Sequence, residues 1–122
     1  MFCSEIVIKG EVQLFVIDLH VHTVKGSSDS SLTTSELIRE CQSIGLDGVC
    51  LTEHAGGWTK QSVESEFCDS GLIVVEALEV NTNLGHVIAL AIGEYSTGMN
   101  DIEVLRRVVD GQGGVLIAAH PL

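Results

Sequence analysis

Apolar residues recur along the chain at two different periods, and the changes of period divide it into alternating strands and helices. Glu5 to Ile8 and Val12 to Val21 predict two strands joined by a tight turn at Lys9-Gly10-Glu11, the first of them an edge strand. Thr23 to Ser31 is polar and rich in glycine and serine, which predicts an exposed loop. Thr33-Thr34-Ser35-Glu36 carries the reciprocal capping pattern of a helix start, and Leu37, Ile38, Cys41 and Ile44 follow at helical spacing until Gly45. Val49 to Thr52 predicts a short buried strand running into Glu53-His54 and a Gly56-Gly57 loop, and Lys60 to Cys68 a helix that stops near Gly71. Leu72 to Val80 reads as a strand with Glu76 and Glu79 embedded in it, Asn81 to Gly85 as a turn, and Val87 to Ile92 as a strand opened by His86. Asp101 to Val109 predicts a third helix with Ile102, Leu105, Val108 and Val109 on one face. Val115 to Ala119 is the last strand and ends on His120-Pro121.

This alternation predicts one α/β domain over residues 1–122, with a largely parallel sheet or part of a barrel. In such folds chemistry collects at the carboxyl ends of strands. All five histidines fall at predicted strand ends or in the adjoining turn: His20, His22, His54, His86 and His120. Within Val16-Ile17-Asp18-Leu19-His20-Val21-His22, strict strand alternation puts Asp18, His20 and His22 on one face. Neutral imidazole is the commonest side-chain ligand of transition metals, and a nearby carboxylate can hold the ring in the required tautomer. Asp18 is expected in that supporting role.

Composition narrows the picture. No apolar run approaches the roughly 18 residues of a membrane span and the N-terminus lacks a basic secretory start, so a soluble cytoplasmic protein without membrane contact is expected. Seventeen acids against six bases give a net charge of −11, which repels phosphate backbones and argues against long nucleic acids as partners. Cys3, Cys41, Cys50 and Cys68 lack C-x-x-C spacing and are expected to be buried free thiols.

Taken together, these segments resemble the PHP family, named for polymerase and histidinol phosphatase domains. Asp18-Leu19-His20-Val21-His22-Thr23 resembles its first motif, Ser28-Asp29 with Leu32 to Leu37 its acid loop and helix start, and Gly45 to Val49 with Thr52-Glu53-His54 its second motif. Glu79-Val80 with Gly85-His86-Val87 is similar to its bridging-glutamate segment, and Ala119-His120-Pro121 to its third motif. The resemblance implies the first four or so units of a distorted (β/α)7 barrel. It also implies a cluster of two or three divalent ions, zinc, manganese or iron, hydrolysing a small phosphorylated substrate or nucleotide through a metal-activated hydroxide.

Carried over, the resemblance makes His20, His22 and Glu79 one metal site. Glu79 bridges to a second ion with His86 and His120, and Asp29 with His54 begins a third. His20, His22, Glu79 and His120 are the expected catalytic residues. Glu53 and Glu76 are left out of the ligand set, Lys25 and Lys60 are read as surface lysines, and Trp58 is expected to staple its loop to the core. Two departures stand out. Ala77 occupies the position where the family has glycine, and the family's final Asp-x-His has no counterpart before Leu122. The chain therefore reads as a domain lacking its C-terminal part, for which self-association or a C-terminal completing segment is expected. The alternative is a non-catalytic PHP-like metal-binding or interaction module with an incomplete site.

Overall fold

The computed structural model describes the backbone of residues 2–8 and 11–120 and the side chains of residues 12–120. The turn expected at Lys9-Gly10, the Cys3 thiol and Pro121 lie outside the described residues. The elements are β1 (Phe2–Ile8), β2 (Glu11–Val21), α1 (Thr34–Ile44), β3 (Gly48–Glu53), α2 (Lys60–Glu66), β4 (Ile73–Thr82), β5 (Gly85–Leu90), α3 (Ile102–Gly111) and β6 (Val115–Ala118). They form a six-stranded sheet whose strands lie in sequence order, with β1 at one edge as expected.

The helix boundaries follow local chemistry. Thr33 caps α1 by accepting from the Glu36 N–H while the Glu36 carboxylate accepts from the Thr33 N–H, an arrangement that stabilises a helix by about 1 kcal/mol. Gly45 closes the helix at φ 80°, a left-handed conformation that a Cβ would strain. α2 ends earlier than its sequence pattern suggests, at Glu66, because Phe67 turns into the core and serves as the cap.

Only β2·β3 and β3·β4 pair in parallel, so of the two expected forms the largely parallel sheet is corrected and part of a barrel stands. The cause is connection length. Just Asn83 and Leu84 separate β4 from β5, too few residues for a crossover, and the pair closes as an antiparallel hairpin. α3 then leads into β6, which runs antiparallel to β5 and so regains the direction of β2, β3 and β4.

Two apolar clusters lie between the sheet and its helices. Val49 and Leu51 of β3 pack with Leu37 and Cys41 of α1, Trp58 and Phe67; Leu78 and Val80 of β4 pack with Val87, Ala89, Leu105 and Val109. Alternate residues, among them Cys50, Thr52, Ala77 and Glu79, therefore face the other side. On that side the sheet curls into a half-barrel. Leu19 and His20 of β2 line one cavity of about 220 Å³ with Ile117 and Ala119, although three strands separate β2 from β6 in the sheet.

Of the three described cysteines, Cys41 and Cys50 are buried as expected, and Cys68 is exposed. It lies in the turn beyond the Phe67 cap of α2, where its thiol donates to the Ser65 carbonyl at 3.3 Å. Burial raises the Cys41 thiol and pushes the Cys50 thiol up to about 11, since desolvation disfavours the thiolate. Alkylation of the native protein near neutral pH, read by peptide mass spectrometry, is expected to modify Cys68 and spare Cys41 and Cys50 until the chain is unfolded.

Candidate metal centre

β2 supplies His20 and leads into His22, with a local irregularity in the strand that changes their setting. Asp18 pairs with Val49 and Val21 with Leu51, so three steps on β2 match two on β3. Such a bulge re-aims side chains. The simple alternation expected from Asp18 to His22 is thereby broken: Asp18 stands level with Val49, and its Oδ1 accepts from the His20 backbone N–H at 3.0 Å. The expected support of a ring by Asp18 is replaced by support of the strand.

The sheet's directions bring the other groups to the same rim. β3 ends beside His54, β4 carries Glu79 near its end, and β6 leads to His120. His86 arrives from the opening of β5, because an antiparallel strand starts where its neighbours finish. Asp29 comes from the loop after β2.

Glu79 sits at the centre and is 1% exposed. Its Oε1 lies 2.8 Å from His22 Nε2, 3.1 Å from His20 Nε2 and 3.6 Å from His54 Nε2. Its Oε2 lies 3.1 Å from His86 Nδ1 and 3.0 Å from His120 Nε2. Burial pushes the Glu79 carboxyl up, but hydrogen bonds from His20 and His86 and the nearby His20 and His22 charges outweigh it and hold it below the usual range. Burial acts on His22 in the direction that keeps the ring neutral, lowering its pKa against the pull of Glu79.

All seven residues expected as ligands converge here. Three groupings have ligand atoms close enough to share an ion: His20, His22 and Glu79; His22, Asp29 and His54; and His54, Glu79 and His86. The first matches the expected set. The others differ from it, because His54 reaches both Asp29, at 3.1 Å, and Glu79, and stacks on His22 with ring centroids 4.4 Å apart. His120 stands at the outer edge with its side chain 62% exposed.

The donor set suits a divalent transition metal. His20 Nε2, His22 Nε2 and Glu79 Oε1 form a triangle with sides of 2.8, 3.1 and 3.1 Å. Ligands about 2.0–2.1 Å from a tetrahedral zinc stand roughly 3.3 Å apart, so a small expansion accommodates the ion. Mixed imidazole and carboxylate ligation fits zinc, manganese or iron.

Glu53, left out of the ligand set as structural or electrostatic, is the most thoroughly bonded carboxylate of the described chain. It is fully buried and accepts from the Thr23 N–H at 2.7 Å, the Thr23 hydroxyl, the Ser27 hydroxyl at 2.8 Å and the Trp58 indole N–H at 2.8 Å. Gly26 fits over it because a Cβ there would lie 2.6 Å from the Glu53 Cβ. A sequence signal did exist: a carboxylate ending an apolar strand, with a loop of small hydroxyl residues as the available donors. Trp58 staples its loop to the core as expected, at 3% exposure and beside Phe67. Lys25 is held by Glu66 and over the Trp58 ring at 4.4 Å.

A family model described as "PHP domain" matches residues 18–103, from the bulge in β2 to the first turn of α3. The chain belongs to the PHP domain family. An uncharacterised protein of Methanocaldococcus jannaschii is 29% identical over 85% of this chain and 66% of its own length. A solved structure from Bifidobacterium adolescentis, described as a "putative metal-dependent phosphoesterase", is 24% identical with a TM-score of 0.51 over 62% of this chain and 27% of that one. At that identity the likeness shows the fold, a partial PHP-type barrel. This chain therefore spans about two thirds of the archaeal protein and about a quarter of the bacterial one.

Truncating Glu53 takes the acceptor from three buried donors, the Thr23 N–H and hydroxyl and the Trp58 N–H, and leaves the Ser27 hydroxyl only His22, whereas Lys25 and Glu66 form a partly exposed pair. Denaturant melts are expected to show a loss of about 3 kcal/mol or more for Glu53→Ala. The loss for Lys25→Ala should stay under about 1 kcal/mol.

Proposed function

We propose that this chain binds two or more divalent ions on the rim around Glu79 and takes part in hydrolysis of a small phosphoester. The observation that carries the reading is the single buried carboxylate with imidazoles at both of its oxygens, an arrangement suited to bridging two cations. Family membership supports hydrolytic chemistry of this kind. Bound ions would supply activation of water and neutralisation of phosphate charge.

The chain's own residues supply position. His20 and His22 hold one side of Glu79, His86 and His120 the other, and His54 with Asp29 extends the row toward the loop after β2. Burial of Glu79 keeps its carboxylate fixed, so little reorganisation accompanies binding. A net charge of −11 favours small substrates over long nucleic acids, because three divalent ions would still leave about −5.

The test is metal analysis of purified protein together with turnover of an aryl phosphate in the presence of manganese or zinc. Uptake of metal and metal-dependent turnover are expected. Glu79→Gln should lower both by more than about 100-fold, beyond the loss typical of a residue that merely supports a ligand. His120→Ala, at the exposed edge, should lose less. Metal uptake without turnover would assign the chain to the binding-module class, and absence of uptake would overturn the proposal.

A further inference from the structure

The hydroxyl of Ser27 stands between a carboxylate and an imidazole, and its bonding can be counted. Ser27 is buried, and its Oγ lies 2.8 Å from Glu53 Oε1, 3.1 Å from His22 Nδ1 and 3.1 Å from the His54 backbone nitrogen. The hydroxyl has one proton to give. His54 N–H can only donate. A Glu53 carboxylate accepting from Thr23 and Trp58 can only accept, so the Ser27 proton belongs to Glu53. The remaining lone pair of Oγ must then receive a proton from His22 Nδ1. In the neutral ring that leaves His22 Nε2 as a bare lone pair 2.8 Å from Glu79 Oε1 and 3.1 Å from His20 Nε2. Two acceptors at that separation repel unless a cation lies between them.

We propose that Glu53, acting through the Ser27 hydroxyl, is the positioning residue that holds His22 in the Nδ1–H tautomer with Nε2 turned to the metal rim. The inference rests on the metal-binding reading above. Glu53 touches no atom of the rim itself; it sets the direction of the Ser27 hydrogen bond, and Ser27 sets the proton on His22. Because Ser27 also accepts from the His54 N–H, the same hydroxyl ties the end of β2 to the end of β3. The carboxylate therefore fixes both ring identity and strand spacing where two of the three ligand groups meet.

The decisive experiment is ¹⁵N spectroscopy of the imidazole nitrogens in metal-free protein at a pH where the rings are neutral, paired with zinc affinity by chelator competition. Wild type is expected to carry the His22 proton on Nδ1. Ser27→Ala removes the relay and leaves the other three bonds to Glu53 in place, so the His22 proton should move to Nε2, where it can donate to Glu79. Zinc affinity should fall about 10- to 100-fold. Glu53→Gln should move the proton in the same way; if that variant does not fold, Ser27→Ala decides. Trp58→Phe removes a Glu53 partner outside the relay and should leave tautomer and affinity unchanged even where it lowers stability. A wild-type proton on Nε2, an unaltered tautomer in Ser27→Ala, or an equal loss of affinity in Trp58→Phe would overturn the proposal. If wild type binds no zinc the metal reading fails, while the nitrogen spectrum of the metal-free protein still decides the relay.

Discussion

A carboxylate cannot be taken out of water cheaply, and Glu79 is almost wholly out of water. The arrangement of the rim follows from that constraint. A buried anion needs cations or donors at both oxygens, and imidazoles from β2, β5 and the residues following β2, β3 and β6 gather around it. A neutral imidazole has one proton to share between two nitrogens, and at His22 the Ser27 hydroxyl lies against the second of them, so what Glu79 receives depends on the tautomers its rings adopt. That dependence, among ligand atoms brought close together, suits the centre to a metal ion. It also explains why the histidines cluster instead of scattering: the benefit of each depends on the same carboxylate.

The mixed directions of the sheet serve this centre. Had β5 run parallel to β4, its opening residue would lie at the opposite end of the strands and His86 could not reach Glu79. The two-residue connection after Thr82 reverses the chain and delivers His86 within seven residues of Glu79 in sequence. α3 then restores the original direction in β6, whose carboxyl end brings in His120. Curling of the sheet does the rest, bringing the His20 and His120 rings to a centroid distance of 5.6 Å.

Much of this was legible in the residues. The Thr33 capping box, the Gly45 stop and the apolar face of α3 each depend on neighbours within one or two turns, and local chemistry suffices to place them. The convergence of the histidines was legible because strand ends in α/β folds share a rim. The parallel expectation failed at β5, where the turn read at Asn81 to Gly85 is too short for a crossover and reverses the chain. Asp18 was misplaced because a bulge leaves no mark in a period-two pattern. Regrouping of His54 with both Asp29 and Glu79 depends on distances across three strands, which no spacing in the sequence encodes.

Glu53 and Glu79 show why residue type alone could not separate scaffold from site. Both are buried glutamates near the ends of adjacent parallel strands, with Glu53 paired to Leu78, the neighbour of Glu79. Their partners differ in kind. Glu53 is met by backbone, hydroxyl and indole groups, which have protons to give and no competing use for them, so its charge is fully answered within the fold. Glu79 is met by imidazole nitrogens, which donate or accept according to what lies on the far side of the ring. Where the far side holds the one proton of a neutral ring, as proposed for His22 against Ser27, the near side offers a lone pair to an anion, and an added cation reconciles the two. A carboxylate saturated by obligatory donors builds structure; one surrounded by groups that can withhold their protons is left with chemistry to do.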